Sequence, residues 1–238
     1  MNKIIWMCWF QGSNHWLMGN FMRLCIYRWK TLNPDWKVIV LCDETISNYV
    51  PEYFRIINNS PDRRIQHKSD LLRLLLLSKY GGVWADGSLF PMKPLSSFYN
   101  KIVNKTGFFS YRFLPRHRRR ETVVWFLCSK FPNNYLIKKW KNKFVKKFKE
   151  KAKFGYYEMA FTLSELYDTD KKVKSIIDNM VQISEKLPHS AMKSWKKRKK
   201  TYMYKRPNRD ELVKDLYSKK EFKKIIKKYK EFYQDKDK

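Results

Sequence analysis

Four cysteines in 238 residues, Cys8, Cys25, Cys42 and Cys128, never come as a C-x-x-C pair. Widely spaced and each in apolar company, they exclude a disulfide framework and a thiolate zinc site, and they read as reduced core thiols of a cytosolic protein. The four histidines are equally scattered and show no zinc-ligand spacing. Long apolar runs are missing too. Arg73 breaks the longest, so no segment approaches a membrane span, and the seven apolar residues before Gln11 are too few for a signal peptide. No repeat and no Gly/Ser linker divides the chain. These absences predict a soluble or membrane-peripheral protein, not an integral one.

Acidic residues are scarce: 22 Asp and Glu stand against 52 Lys and Arg, a formal charge of +30. The imbalance is local. Residues 1–100 hold 12 basic and 7 acidic side chains, a net of +5, and the other 138 hold 40 and 15, a net of +25. A hydrophobic content of 43%, with 17% aromatic, is enough for a core and speaks against general disorder. Charge of this size attracts phosphate, on an anionic membrane surface or on nucleic acid, unless it is only lysine on solvated faces. No nucleic-acid module is recognisable, and the charge avoids the N-terminal half.

Ile4 to Phe10 is a continuous apolar run that predicts a strand buried on both faces. Ser13 or Asn14 can cap a helix to about Thr31, with Leu17, Phe21, Leu24, Cys25 and Arg28 at helical spacing. After the Asn33-Pro34-Asp35 turn, Trp36 to Leu41 is a second strand, closed by Cys42-Asp43. Strand, helix, strand is a βαβ unit and implies a parallel sheet. Residues 44–60 hold short helical pieces, and Ser96 to Val103 is helical. Gly107 to Phe113 and Val123 to Ser129 are β-rich runs separated by the basic link Arg116 to Arg120, which reads as a hairpin loop or a mobile segment. From Pro132 the pattern is mostly helical: Asn133 to Lys151, Tyr156 to Tyr167, and a tail from Lys219 to Tyr233.

The chain is organised around Ser69 to Leu89, SDLLRLLLLSKYGGVWADGSL. Ser69 is a natural N-cap, with Asp70 complementing the positive helix end. Six leucines between Leu71 and Leu77 make a stem apolar nearly all round, and Gly81-Gly82 supplies a left-handed stop. Val83, Trp84 and Ala85 then form a short buried strand that ends in Asp86-Gly87-Ser88. Polar residues at the end of such a strand are where an open α/β sheet binds its ligand. An isolated Asp-Gly is more commonly only a turn. Asp70 and Arg73 lie three apart on one helix face, and a sugar nucleotide offers hydroxyls and phosphates to such a pair.

The order S-D-x-x-R-x-x-x-L-x-x-x-G-G, then an aromatic and D-x-(D/T/S), resembles the capsular polysaccharide synthesis glycosyltransferases and the wider retaining group of yeast mannosyltransferases and clostridial toxin glucosyltransferase domains. A second piece, KIIWMCWFQG, is similar to the first strand of that family. The likeness runs from Lys3 to about Pro94. It implies a GT-A-like, Rossmann-type α/β domain that binds a nucleotide sugar, here residues 1–130, with a helical, strongly basic C-terminal part, 131–238, packed on it. It further implies transfer of a hexose, with retention, from a UDP-sugar to a capsular or cell-surface glycan precursor carried on a lipid diphosphate. Asp86, Asp70 and Arg73 become the catalytic set, and Trp9 joins them in holding the donor by stacking on the uracil. Asp86 and Ser88 become ligands of a divalent cation, Mn²⁺ or Mg²⁺. Ser88 departs from the acidic form of the motif and is a weaker ligand than a carboxylate.

Related enzymes close the donor site with a late metal ligand or phosphate-binding lysine, for which His189, Lys205 and Asn208 are the candidates. Glu158, beside Tyr156 and Tyr157, is a candidate acceptor contact. Trp6 is expected in the core. In the tail, Phe222, Ile225, Ile226, Tyr229, Phe232 and Tyr233 form a stripe flanked by lysines. That pattern suits either a membrane interface or the protein's own core. The competing function is a basic nucleic-acid-binding protein without catalysis, its aromatics stacking on bases between lysines.

Overall fold

The continuous apolar runs meet in one five-stranded sheet. The computed structural model describes residues 2–12, 15–117, 120–150, 153–189, 201–205, 213–214 and 216–234. Strands β1 (Ile4–Cys8), β2 (Lys37–Leu41) and β3 (Gly82–Ala85) are parallel, with Trp6 facing both Ile39 and Trp84. The hairpin β5 (Phe108–His117) and β6 (Arg120–Ser129) adds antiparallel strands beyond β3, in the order β2-β1-β3-β6-β5. The α/β class expected from the sequence, with a helical C-terminal part, is what folds.

Alternation sends neighbouring side chains to opposite faces. Trp6, Trp84, Leu127 and Phe108 enter one layer, and Ile5, Met7, Val83, Ala85, Phe126 and Cys128 the other. Helix α1 (Asn20–Leu32) covers the second face with α5 (Tyr99–Val103). The first face takes the small helices α2 (Asp43–Ile46) and α3 (Glu52–Asn58). The long α4 (Ile65–Tyr80) lies there too, with α6 (Tyr135–Glu150), α7 (Glu158–Thr169) and α8 (Lys171–Asn179). In α4, Leu71, Leu72, Leu74, Leu76 and Leu77 are wholly inaccessible. Each such side chain stabilises by about 1.5–3 kcal/mol before ordering entropy is subtracted. All four cysteines are free thiols. Trp6 is a core residue as expected, its indole N–H donating to the Gly81 carbonyl at 3.0 Å.

Two helix starts differ from expectation. α1 begins at Asn20 behind an extended Gly19, and residues 15–18 form turns. Leu17, expected on the helix, is consequently exposed; Ser13 and Asn14 lie outside the described residues. α4 begins at Ile65, four residues before Ser69, behind an extended Arg64. Ser69 is therefore interior, and its hydroxyl accepts from Arg73 instead of capping. The extra turn is held from outside the local pattern, with buried His67 edge-on to Phe154 at 4.9 Å.

The stop of α4 is as read. Gly81 (φ +68°) donates to Leu77, and Gly82 (φ +90°) lets β3 lie against β1, where a Cβ would stand 2.6 Å from the Ile4 carbonyl oxygen. After β3 the chain turns at Asp86 into β4 (Leu89–Pro91), which pairs antiparallel with β7 (Met203–Lys205), placing Lys205 opposite Leu89. Between β6 and β7 lie α6 to α8 and the short α9 (Lys186–His189). The tail helix α10 (Lys219–Gln234) packs on α1. Ile226 and Tyr229 are buried there, Phe222 and Ile225 rest against the cluster of Phe21, Leu24 and Cys25, and the Tyr229 hydroxyl donates to Met18 Sδ. Of the two roles open to the stripe, docking on the protein's own core is the one adopted. That face is not available for insertion into a membrane while α10 stays docked; its lysines point outward. The side chains of Phe232 and Tyr233 lie outside the described residues. No described helix is long and apolar enough to cross a membrane.

Candidate active site

A cleft of about 530 Å³ opens at the carboxyl ends of β1 and β3. Trp9 follows β1 into its wall, Asp86 to Ser88 follow β3, and Ser69, Asp70 and Arg73 reach it from α4. The sheet order therefore gathers Trp9, Asp70, Arg73, Asp86 and Ser88 in one place. Thr122 and Trp125 of β6 and Lys205 of β7 complete the inner wall, and Tyr156, Tyr157 and Ile65 stand about half-exposed at its rim.

Asp86 is the centre of the charge network. Its Oδ1 accepts from the Trp84 indole at 2.9 Å and lies 3.6 Å from Arg73 Nη2. Its Oδ2 accepts from Lys205 Nζ at 2.8 Å, and the same ammonium donates to Ser88 Oγ at 3.1 Å. The Asp86 side chain keeps 27% of its surface exposed, enough to be met by a ligand in the cleft. Burial pushes its carboxyl up, but the Lys205 and Arg73 charges and the hydrogen bonds from Lys205 and Trp84 outweigh this and hold it below the usual range.

Asp70 shows the opposite balance. It lies 3.2 Å from Arg73 Nη2 yet is almost wholly buried. Burial, with Asp86's negative charge adding to it, pushes the Asp70 carboxyl up to about 7 against the pull of Arg73. Asp70 is in the second turn of α4, so the helix end expected to favour its charge is too far away to do so. Arg73 lies over the Trp84 ring at 5.0 Å and donates to Ser69 and to the Val124 carbonyl. Its fork is spent on holding α4, β6 and the two carboxylates in register.

Among the late candidates, His189 and Lys205 are brought to the cleft. His189 stands edge-on to Trp125 at 5.6 Å and 3.8 Å from Glu185. Lys205 is 6% exposed, over the Trp125 ring at 5.8 Å. Asn208 lies outside the described residues. Glu158 is not at the rim: it is buried and pairs with Lys147 at 3.4 Å, while the flanking Tyr156, Tyr157 and Met159 line the cleft. The first turn of α7 points this carboxylate toward Lys147 of α6.

Sequence reasoning did not single out Thr122 or Trp125. Trp125 sits in an apolar run that reads simply as a strand and Thr122 just before it, and the pairing of β6 with β3 and β5 makes them cleft wall. The Thr122 hydroxyl and the Trp9 indole N–H are buried without a partner among the described residues. Such groups are costly unless a ligand meets them.

The cation expected on Asp86 and Ser88 does not fit the side chains as arranged. Both ligand oxygens already accept from one ammonium, and among the described residues no three His, Cys, Asp or Glu gather as a metal-binding set.

The O-glycosyltransferase braB of Annulohypoxylon truncatum is 34% identical over 115 residues, covering 42% of this chain and 26% of that protein, so the match spans about a quarter of the relative's length. The solved structure of the PaToxG glycosyltransferase aligns over 73% of each chain at 18% identity, with a TM-score of 0.48. The family model described as capsular polysaccharide synthesis protein matches residues 1–235, taking in the sheet, the cleft and the C-terminal helices. By that match the chain belongs to the capsular polysaccharide synthesis protein family.

Proposed function

We propose that this protein is a GT-A-type glycosyltransferase that moves a hexose from UDP-hexose to a growing capsular or cell-surface glycan, with retention of configuration. The observation that carries the reading is Asp86 at the carboxyl end of β3, in a cleft that also holds an indole, two cations and a buried, proton-poised carboxyl. Trp9 stacks on the uracil, a contact that grips a flat base without reading its edges. Asp86 and Asp70 accept hydroxyls of the donor sugar, and Arg73 positions both carboxylates. The acceptor enters past Tyr156 and Tyr157, whose rings meet edge to face at 4.9 Å on the rim.

With no side chain placed as a nucleophile in this reading, transfer is front-face. The bond from sugar C1 to the β-phosphate oxygen breaks and its electron pair stays with the phosphate. The acceptor oxygen bonds C1 on the same face, and the acceptor proton passes to the departing phosphate. A lipid-diphosphate acceptor at an anionic membrane places the substrate where exposed lysines of α6 and α10 are attracted. Nucleoside diphosphate release across a panel of nucleotide sugars, followed by mass spectrometry, tests the reading. Release from one UDP-hexose, abolished in Asp86→Asn, supports it; a folded protein that releases nothing from any donor overturns it.

A further inference from the structure

We propose that Lys205 does at the donor diphosphate the electrostatic work assigned to a divalent cation in D-x-(D/T/S) sites, so that this protein binds and turns over its donor without metal. The proposal rests on the donor reading above.

Lys205 Nζ occupies the bridging point between the two side chains expected to ligate the metal, 2.8 Å from Asp86 Oδ2 and 3.1 Å from Ser88 Oγ. This is a built position. Lys205 is buried, its backbone is locked in the β4–β7 pairing opposite Leu89, and its ammonium lies over Trp125. A buried ammonium persists only when paired, and Asp86 supplies the counter-charge. Arg73 is a second cation beside the same carboxylate. With Ser88 in place of an acid, Asp86 already faces two positive side chains, and a divalent ion there would be repelled by both. An ammonium has three donors, and only two have partners among the described residues. The third suits an oxygen of a diphosphate, for which lysine serves as a point charge. As C1–O cleavage moves charge onto the phosphate, Lys205 hydrogen-bonds the oxygen that receives it and keeps its own proton.

The test uses the whole 238-residue chain with UDP as the probe. Calorimetric titration with UDP in EDTA and in MnCl₂ should give dissociation constants within about twofold, and the protein alone should leave the Mn²⁺ electron-spin signal undiminished. Lys205→Met should weaken UDP binding on the order of 10- to 100-fold, the size expected for a lost charged hydrogen bond. Lys205→Arg, which keeps the charge, should retain most of it. A requirement for Mn²⁺ in UDP binding by the unaltered protein overturns the proposal and leaves the transferase reading intact. So does a folded Lys205→Met protein that binds UDP as before. Failure to bind UDP in either medium overturns the UDP-donor reading itself, and this inference with it.

Discussion

Lys205 Nζ lies 2.8 Å from Asp86 Oδ2, although 119 residues separate them in the chain. One contact thus ties the last strand to the end of β3 and sets the charge of the cleft. Asp86→Asn would leave the Lys205 ammonium without its anion and remove the carboxylate facing the donor. Transfer should fall on the order of 10²-fold or more, the equivalent of roughly 3 kcal/mol in the transition state. Steady-state donor turnover checks this, and near-normal rates in a folded variant would remove Asp86 from the mechanism.

The same pair has an acid signature. Because the folded state holds the Asp86 carboxyl below its ordinary value, its contribution is present above the unfolded pKa of 3.8 and is lost as pH falls through the lower folded value. Thermal unfolding between neutral and strongly acidic pH should therefore show a steeper acid loss in the unaltered protein than in Asp86→Asn.

Asp70 should act in the other direction. With its carboxyl raised to about 7, the folded protein keeps a proton that the unfolded chain gives up. Its contribution to stability is thus complete below 3.8 and declines as pH rises to about 7. Asp70→Asn should remove that decline. In transfer, a carboxylate that accepts sugar hydroxyls gains strength when charged, so the rate should rise through pH 7 with an inflection that Asp70→Asn abolishes. A pH–rate profile without such an inflection would argue against Asp70 as a donor contact.

Trp9→Ala should weaken donor binding more than it slows the bound complex. Stacking is present in ground and transition states alike, so its loss is mainly uniform binding. Base stacking on an aromatic is worth about 1–3 kcal/mol, or roughly 5- to 150-fold in the dissociation constant. Titration calorimetry reads this directly; an unchanged affinity would make Trp9 part of the wall only.

Tyr229→Ala should destabilise the fold by about 3–5 kcal/mol, as truncation of a buried aromatic does. For a chain of this size that lowers Tm by roughly 2–4 °C per kcal/mol. Salt-sensitive sedimentation with anionic vesicles, if the lysines mediate it, should survive the change, because the buried stripe does not take part. Loss of vesicle binding with an unchanged Tm would instead place Tyr229 at the membrane.

Much of the fold was legible because its signals are local. The leucine stem of α4, its Gly-Gly stop, the apolar runs of β1 and β3 and the hairpin of β5 and β6 each depend on neighbours a few residues away. Family motifs carried Asp70, Arg73, Asp86, Ser88 and Trp9 to one expected place, and parallel pairing of β1 with β3 does gather them. Where α4 begins was not legible. Ser69 is a good cap by type, but the helix extends past it, where His67 packs against Phe154 of the segment between α6 and α7.

The sequence alone therefore determined the class of the fold and the residue types at its centre, since both follow from short-range periodicity and a compact motif. Tertiary structure decided which basic side chain meets that centre. Lys205 is one of 52 basic residues and has no local feature that distinguishes it. Antiparallel pairing of β7 with β4, across more than a hundred residues, brings its ammonium to Asp86 and Ser88. The docking of α10 on α1 likewise chose between two roles for one amphipathic stripe. A stripe records that a face must be covered; what covers it depends on shape and position, which exist only once the chain has folded.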